Sequence, residues 1–150
     1  MKIQKLTIQN YRNFKNFEIE LKPFTLIIGE NNIGKTNLLN AIGLIFSQEI
    51  TFFKKRMLEI DDINYDAIVN FKNEVLSGIP IADIKPPEVI IEAILDDLTA
   101  EQKNVVADWF IGENFDKARL TYKFYPKTDL SKWIQEIRDS LNDESTIDSI

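Results

Sequence analysis

The 150-residue chain has no cysteine and no histidine. Without cysteine there can be no disulfide, no thiolate metal site and no thiol nucleophile. Without histidine there is no Ser-His-Asp catalysis, no imidazole zinc site and no histidine general base. No apolar run approaches the ~20 residues of a membrane span, and the N-terminus lacks an apolar signal-peptide core. A cytoplasmic protein without membrane contact is the expectation. Basic residues are the minority sign, 18 against 24 acidic for a net charge of −6. That balance argues against a general nucleic-acid-binding surface, which is normally basic. Carboxylates, Lys and Arg, hydroxyls, backbone dipoles and a hard metal such as Mg²⁺ remain for any chemistry. Such an inventory suits phosphoryl transfer.

The composition, 44% hydrophobic and 28% charged, is that of an ordinary globular protein. Its length corresponds to one domain, able to bury roughly 70% of its unfolded surface. Within it, Gly29-Glu30-Asn31-Asn32-Ile33-Gly34-Lys35-Thr36 fits the phosphate-loop pattern G-x-x-x-x-G-K-[ST]. Phe24 to Ile28 precedes it as a short apolar, β-branched run and reads as a buried strand. Thr36 to Ser47 follows, with Leu38, Leu39, Ile42, Ile45 and Phe46 at helical spacing. Strand, loop and helix together make the motif strong; a ligand-free strand-to-helix turn needs neither Lys nor Thr at those positions. Gly29 and Gly34 would permit backbone angles and close approach that a Cβ forbids. Successive N–H groups, here from Gly29 through Asn37, would surround a phosphate, with the helix N-terminus behind it. Lys35 would reach the β- and γ-phosphates and the Thr36 hydroxyl would ligate Mg²⁺. Asn31 and Asn32 would shape the loop through side-chain-to-backbone hydrogen bonds.

Elsewhere, Lys2 to Asn10 alternates as a strand, Asn13 and Asn16 mark turn chemistry, and Phe17 to Leu21 alternates again. An antiparallel pair with one wet face follows. Residues 48–64 read as a loop or short helix ending in Glu59-Ile60-Asp61-Asp62, and Tyr65 to Ser77 as a helix. Gly78, Pro80, Pro86 and Pro87 break what comes next. Glu88 to Asp97 is a strand, and Thr99 with Gln102 forms a capping box opening a helix that carries Val105, Val106, Trp109 and Phe110. Gly112 reads as that helix's stop. Leu120 to Tyr125 is a further strand, and Asp129 caps a last amphipathic helix with Trp133, Ile134, Ile137 and Leu141. Residues 142–150 are polar and acidic without a closing element. The organisation is a strand pair, phosphate loop and first helix over 1–47, an insertion over 48–87, and strand-helix-strand-helix over 88–150. The basic cluster Lys54-Lys55-Arg56, after Phe52-Phe53, reads as a solvated helix end or loop, with phosphate contact the alternative.

The strand pair Ile8-Gln9-Asn10-Tyr11-Arg12-Asn13-Phe14 and Phe17-Glu18-Ile19, followed by a Gly-x-Asn-Asn-x-Gly-Lys-Thr loop, resembles the N-terminal lobe of ABC-type ATPase heads of the RecF/SMC-like class. Within that class it is most similar to the OLD (overcoming lysogenisation defect) family, including Gabija-type anti-phage nucleases. The resemblance is specific over residues 1–47 and looser through Lys55 to Asp62. It implies an α/β P-loop fold with a mixed sheet and flanking helices, binding ATP and Mg²⁺, and pairing of two heads in a homo-oligomer. It also implies an OLD-type endonuclease as the complete protein, with DNA engaged by other regions. A RecF-type repair ATPase or a nucleotide-sensing assembly module without turnover are the alternatives. By the same resemblance Arg12 is placed near the phosphates; its other reading is a solvated turn residue.

Two further stretches are similar to ATPase motifs. Leu76-Ser77-Gly78 resembles the start of an ABC signature, but a signature opens a helix and Gly78-Ile79-Pro80 breaks one. Ile91 to Asp97 resembles a Walker B strand, but Glu92 interrupts the continuous apolarity of a strand buried on both faces. Asp96 and Asp97 are therefore read as ending a half-exposed antiparallel strand, and no catalytic residue is assigned. A nucleotide cradle without a water-orienting acid should bind ATP and hydrolyse it little.

Overall fold

The computed structural model describes residues 1–30, 33–46 and 58–147, with side chains through Leu141. Asn31, Asn32, Ser47 and the Lys54-Lys55-Arg56 cluster lie outside the described residues. The strands are β1 (Lys2–Tyr11), β2 (Phe14–Glu20), β3 (Val89–Asp96), β4 (Phe110–Ile111) and β5 (Lys117–Phe124). They form one five-stranded sheet in the order β2-β1-β3-β5-β4. Every pairing is antiparallel, so among the described residues the sheet is not the mixed one that resemblance implied.

Alternation fixes which face is buried. Ile19, Leu6, Ala93 and Leu120 lie on one cross-strand rung, and Phe17, Ile8, Ile91 and Tyr122 on the next. Leu6, Ile8, Ile91 and Ala93 are fully buried, each large one contributing about 1.5–3 kcal/mol. A helix, α1 (Lys35–Phe46), closes this core with Leu38, Ala41 and Leu44. Leu39, counted on the apolar face by spacing, is 65% exposed. The other sheet face carries Lys5–Glu18 and Arg119–Glu92 ion pairs beside the buried Ile94. Glu92 thus stands on the wet face of a central antiparallel strand, as its place in the alternation predicts.

Beyond the sheet, α2 (Tyr65–Leu76), a 3-10 turn (Ile81–Asp83) and α4 (Ser131–Ile147) share a second core of Val75, Ile84 and Ile134. Arg138 of α4 donates to the carbonyls of Glu74, Val75 and Ile79, satisfying acceptors at the end of α2. Ser77 and Gly78 follow a helix here and do not open one. The capping box at Thr99 and Gln102 is present, opening α3 (Ala100–Val105). That helix is shorter than its apolar residues suggested. A 3-10 turn at Ala107–Trp109 ends it, and Phe110 enters β4. Gly112, with φ +78°, therefore serves the connection from β4 to β5 and does not stop a helix. Asp129 accepts from the backbone N–H and hydroxyl of Ser131 at the start of α4. Against expectation, α4 continues through residues 142–147.

The largest departure concerns Phe24 to Ile28. No described strand lies beside it, and the run belongs to no regular element. Phe24 and Ile28 are 83% and 82% exposed. A β-strand exists only where a neighbour completes its backbone hydrogen bonds, and here none does.

Candidate nucleotide-binding site

Tyr11 pairs with Phe14, leaving Arg12 and Asn13 as a two-residue hairpin turn. Arg12 has φ +48°, a left-handed conformation that such turns normally fill with glycine or asparagine. Strain of this kind, ~1–3 kcal/mol, is offset by contacts across the molecule. The Arg12 N–H donates to Asp62 O at 2.7 Å, and Asn64 Nδ2 donates to Arg12 O at 2.6 Å. Asn64 also caps α2, accepting from Ala67 N–H, so the turn and the start of α2 are locked together.

The Arg12 side chain turns toward the phosphate loop. Its Nε donates to Asp62 Oδ1 at 2.7 Å and its Nη1 to Asn37 Oδ1 at 2.7 Å. The guanidinium also lies 5.4 Å from the centroid of the Tyr11 ring. Arg12 is thus a half-buried anchor between the hairpin, the first turn of α1 and the 3-10 turn Ile60–Asp62. It is not a solvated turn residue.

At the loop itself, Gly34 has φ +115° and an added Cβ would sit 2.4 Å from Asn13 Nδ2, so glycine is required. Gly29 differs: a Cβ there would make ordinary contact with Ile33 at 3.6 Å, so close approach inside the loop does not demand it. The first hydrogen bond of α1 runs from Leu38 N–H to Gly34 O. Among the described residues the N–H groups of Lys35, Thr36 and Asn37 have no backbone acceptor, and the positive end of the helix faces the loop. Lys35 Nζ donates to Gly29 O and Glu30 O, drawing the ammonium across the loop mouth. The Thr36 side chain is exposed and makes no hydrogen bond among the described residues. Asn37 offers its backbone N–H only, since its side-chain amide is held by Arg12 and Asn13.

Next to α1 and Arg12 lies an open groove of about 620 Å³, lined by Arg12, Asn37, Glu59, Asp61, Asp62, Ile63 and Tyr65. The N–H groups of that first turn, a lysine and an exposed hydroxyl at one helix start can hold an anion and share a hard cation with it. The acidic groove beside it suits an uncharged group with hydroxyl or amino donors. Resemblance offered Arg12 near the phosphates, but Asp62 and Asn64 were missed as its partners; the acidic run at 59–62 was the only signal. Asp96 lies elsewhere. It pairs with Lys2 at the opposite end of β1 from the Arg12 turn, some 30 Å along a ten-residue strand at ~3.3 Å per residue. Among the described residues no cluster of three or more Asp or Glu side chains is arranged to hold a metal.

The family described as AAA ATPase domain matches residues 1–147 of the chain. The DNA replication and repair protein RecF of Rickettsia felis is 51% identical over 45 residues, 29% of this chain and 12% of that protein. Endonuclease GajA of Bacillus cereus is 43% identical over 53 residues, 35% of this chain and 9% of that protein. The matched segments thus span about a tenth of the length of these curated relatives. A solved SMC ATPase chain is similar at 20% identity and a TM-score of 0.49, over 85% of this chain and 65% of that one. No helix among the described residues is long and apolar enough to cross a membrane.

Proposed function

Because the chain belongs to the AAA ATPase domain family, we propose that it binds ATP with Mg²⁺ on the loop from Gly29 to Thr36, as the N-terminal lobe of an ABC-type ATPase. The observation that carries this reading is the start of α1: the N–H groups of the first helical turn, the Lys35 ammonium and the exposed Thr36 hydroxyl lie together beside Gly34. Backbone donors and Lys35 would take the phosphates, and Thr36 would share a Mg²⁺ ion with them. A Mg²⁺ ion held there by Thr36 would supply neutralisation of phosphate charge. Arg12 stands one side chain from the loop and would meet the outermost phosphate by exchanging its bond to Asn37. The neighbouring groove is of nucleoside size, and Glu59 and Asp61 offer acceptors to sugar hydroxyls or a base amino group.

In the complete protein this lobe would belong to a DNA-acting ATPase that pairs two heads around nucleotide. An OLD-type, anti-phage ATP-dependent endonuclease is our first reading, supported by the longer match to GajA. A RecF-type repair ATPase is the second, favoured by the higher identity of the shorter match. Nuclease assay of the full-length product separates them: ATP-controlled DNA cleavage supports the first, ATPase activity without cleavage the second.

Competition binding tests the site. Labelled ATP should bind the 150-residue chain, be released by EDTA, and resist displacement by an equal concentration of GTP. Displacement by GTP at par would remove adenine from the proposal. Hydrolysis should stay near background, because Asp96 and Asp97 lie where β3 ends, at the far end of the sheet from the Arg12 turn. Turnover of about one per second that is lost in Asp96→Ala or Asp97→Ala would contradict this.

A further inference from the structure

We infer that Asn13 is a positioning residue for the phosphate cradle, fixing the orientation of the Ile33–Gly34 peptide. The inference rests on the nucleotide-binding reading above. Asn13 Nδ2 donates to Ile33 O at 2.9 Å, and Asn13 Oδ1 accepts from Asn37 Nδ2 at 2.8 Å. The amide is therefore held at both ends, by the loop on one side and the first turn of α1 on the other. Asn37 is itself held by Arg12, so the bracket is tied back to the hairpin.

A trans peptide holds its C=O and N–H in opposite directions. Pulling the Ile33 carbonyl onto Asn13 turns the Gly34 N–H away from the hairpin, to the side where a phosphate would be held. The contact also explains why position 34 is glycine. A Cβ there would collide with the Asn13 amide, whereas at Gly43, Gly78 and Gly112 it would meet nothing within 4 Å. An asparagine serving only its own turn would bond locally. This one reaches residues 20 and 24 positions further on. Asn13 is exposed, so its bonds compete with water and add little to fold stability.

The test uses the 150-residue chain, with Mg-ADP and Mg-ATP titrated calorimetrically and the Gly34 amide followed by nitrogen-15 NMR. Asn13→Ala should weaken both nucleotides about three- to tenfold, the worth of one hydrogen bond. The ligand-free melting temperature should hold within ~2 °C, and the nucleotide-induced shift of the Gly34 amide should shrink. Asn13→Asp keeps an acceptor for Asn37 but has no donor for Ile33, so it should lose at least as much affinity as Asn13→Ala. Wild-type affinity in Asn13→Ala, or full retention in Asn13→Asp, overturns the inference while leaving nucleotide binding intact. So does an affinity loss matched by a large fall in melting temperature, which would make Asn13 structural. Failure of the wild type itself to bind either nucleotide overturns the nucleotide reading and this inference with it.

Discussion

Ile91 and Ile28 both sit in β-branched apolar runs, yet one is fully buried and the other 82% exposed. Ile91 stands on β3, with β1 and β5 hydrogen-bonded on either side. Ile28 leads into the phosphate loop with no described strand beside it. Both runs are rich in apolar residues; what differs is whether neighbouring strands complete the backbone hydrogen bonds. A strand's apolar face is buried only once its ladder is made, because unpaired backbone groups resist leaving water. The sheet is therefore a self-sufficient unit, and the loop is held from other directions: by the Arg12–Asn13 hairpin, by Asp62 through Arg12, and by α1.

That contrast sets the order of expected effects. Ile91→Ala opens a cavity in the core and should cost about 2–5 kcal/mol, lowering the melting temperature by roughly 4–20 °C at this size. Ile28→Ala should stay within about 0.5 kcal/mol, as for other exposed positions. Denaturant unfolding of the pair checks this, and equal costs would place residues 24–28 in a core.

Between these extremes falls Arg12→Ala. It leaves the buried Asp62 carboxylate without its guanidinium and should cost roughly 1–3 kcal/mol. It should also weaken ATP more than ADP if Arg12 reaches the outermost phosphate; an equal effect on both would leave it a structural anchor only.

The smallest effect lies at the start of α4. The Ser131 hydroxyl, then the Ser131 backbone N–H, hold the Asp129 carboxyl below its ordinary 3.8. Because its pKa is lowered on folding, Asp129 stabilises the fold above its unfolded pKa, and that contribution is lost as pH falls through the lowered value. Asp129→Asn should flatten this part of the acid limb in a circular-dichroism titration and leave the neutral region almost unchanged. A steeper acid limb in the variant would reverse the assignment.

Local signals carried most of the fold. The β1–β2 pair, the α1 helix, the capped α3 and the antiparallel β3 follow from alternation, helical spacing and the Thr99–Gln102 box, although β3 is more buried than the half-exposed strand expected. The failures share a cause: each depended on a neighbour that local sequence does not name. Phe24 to Ile28 reads as a strand by composition but has no ladder, and Phe110 reads as helical until β5 claims it. At the site, the G-x-x-x-x-G-K-[ST] pattern gave the loop and Lys35 at once. Asp62 and Asn64, some fifty residues from Arg12, carried no spacing that pointed to it. Asn13 was legible only as a turn residue, because its reach to Ile33 and Asn37 is a property of the folded hairpin.

The central claim is that the loop holds nucleotide through Lys35 while the sheet holds the fold, and thermal melting with and without Mg-ATP tests it most directly. At ligand near one hundred times Kd, stabilisation is ~2.7 kcal/mol, a shift of roughly 5–11 °C for a domain of this size. Lys35→Ala should abolish most of that shift and leave the ligand-free melting temperature nearly unchanged, since among the described residues Lys35 bonds loop carbonyls alone. An unshifted wild type under saturating Mg-ATP, or a large ligand-free destabilisation by Lys35→Ala, would contradict the account.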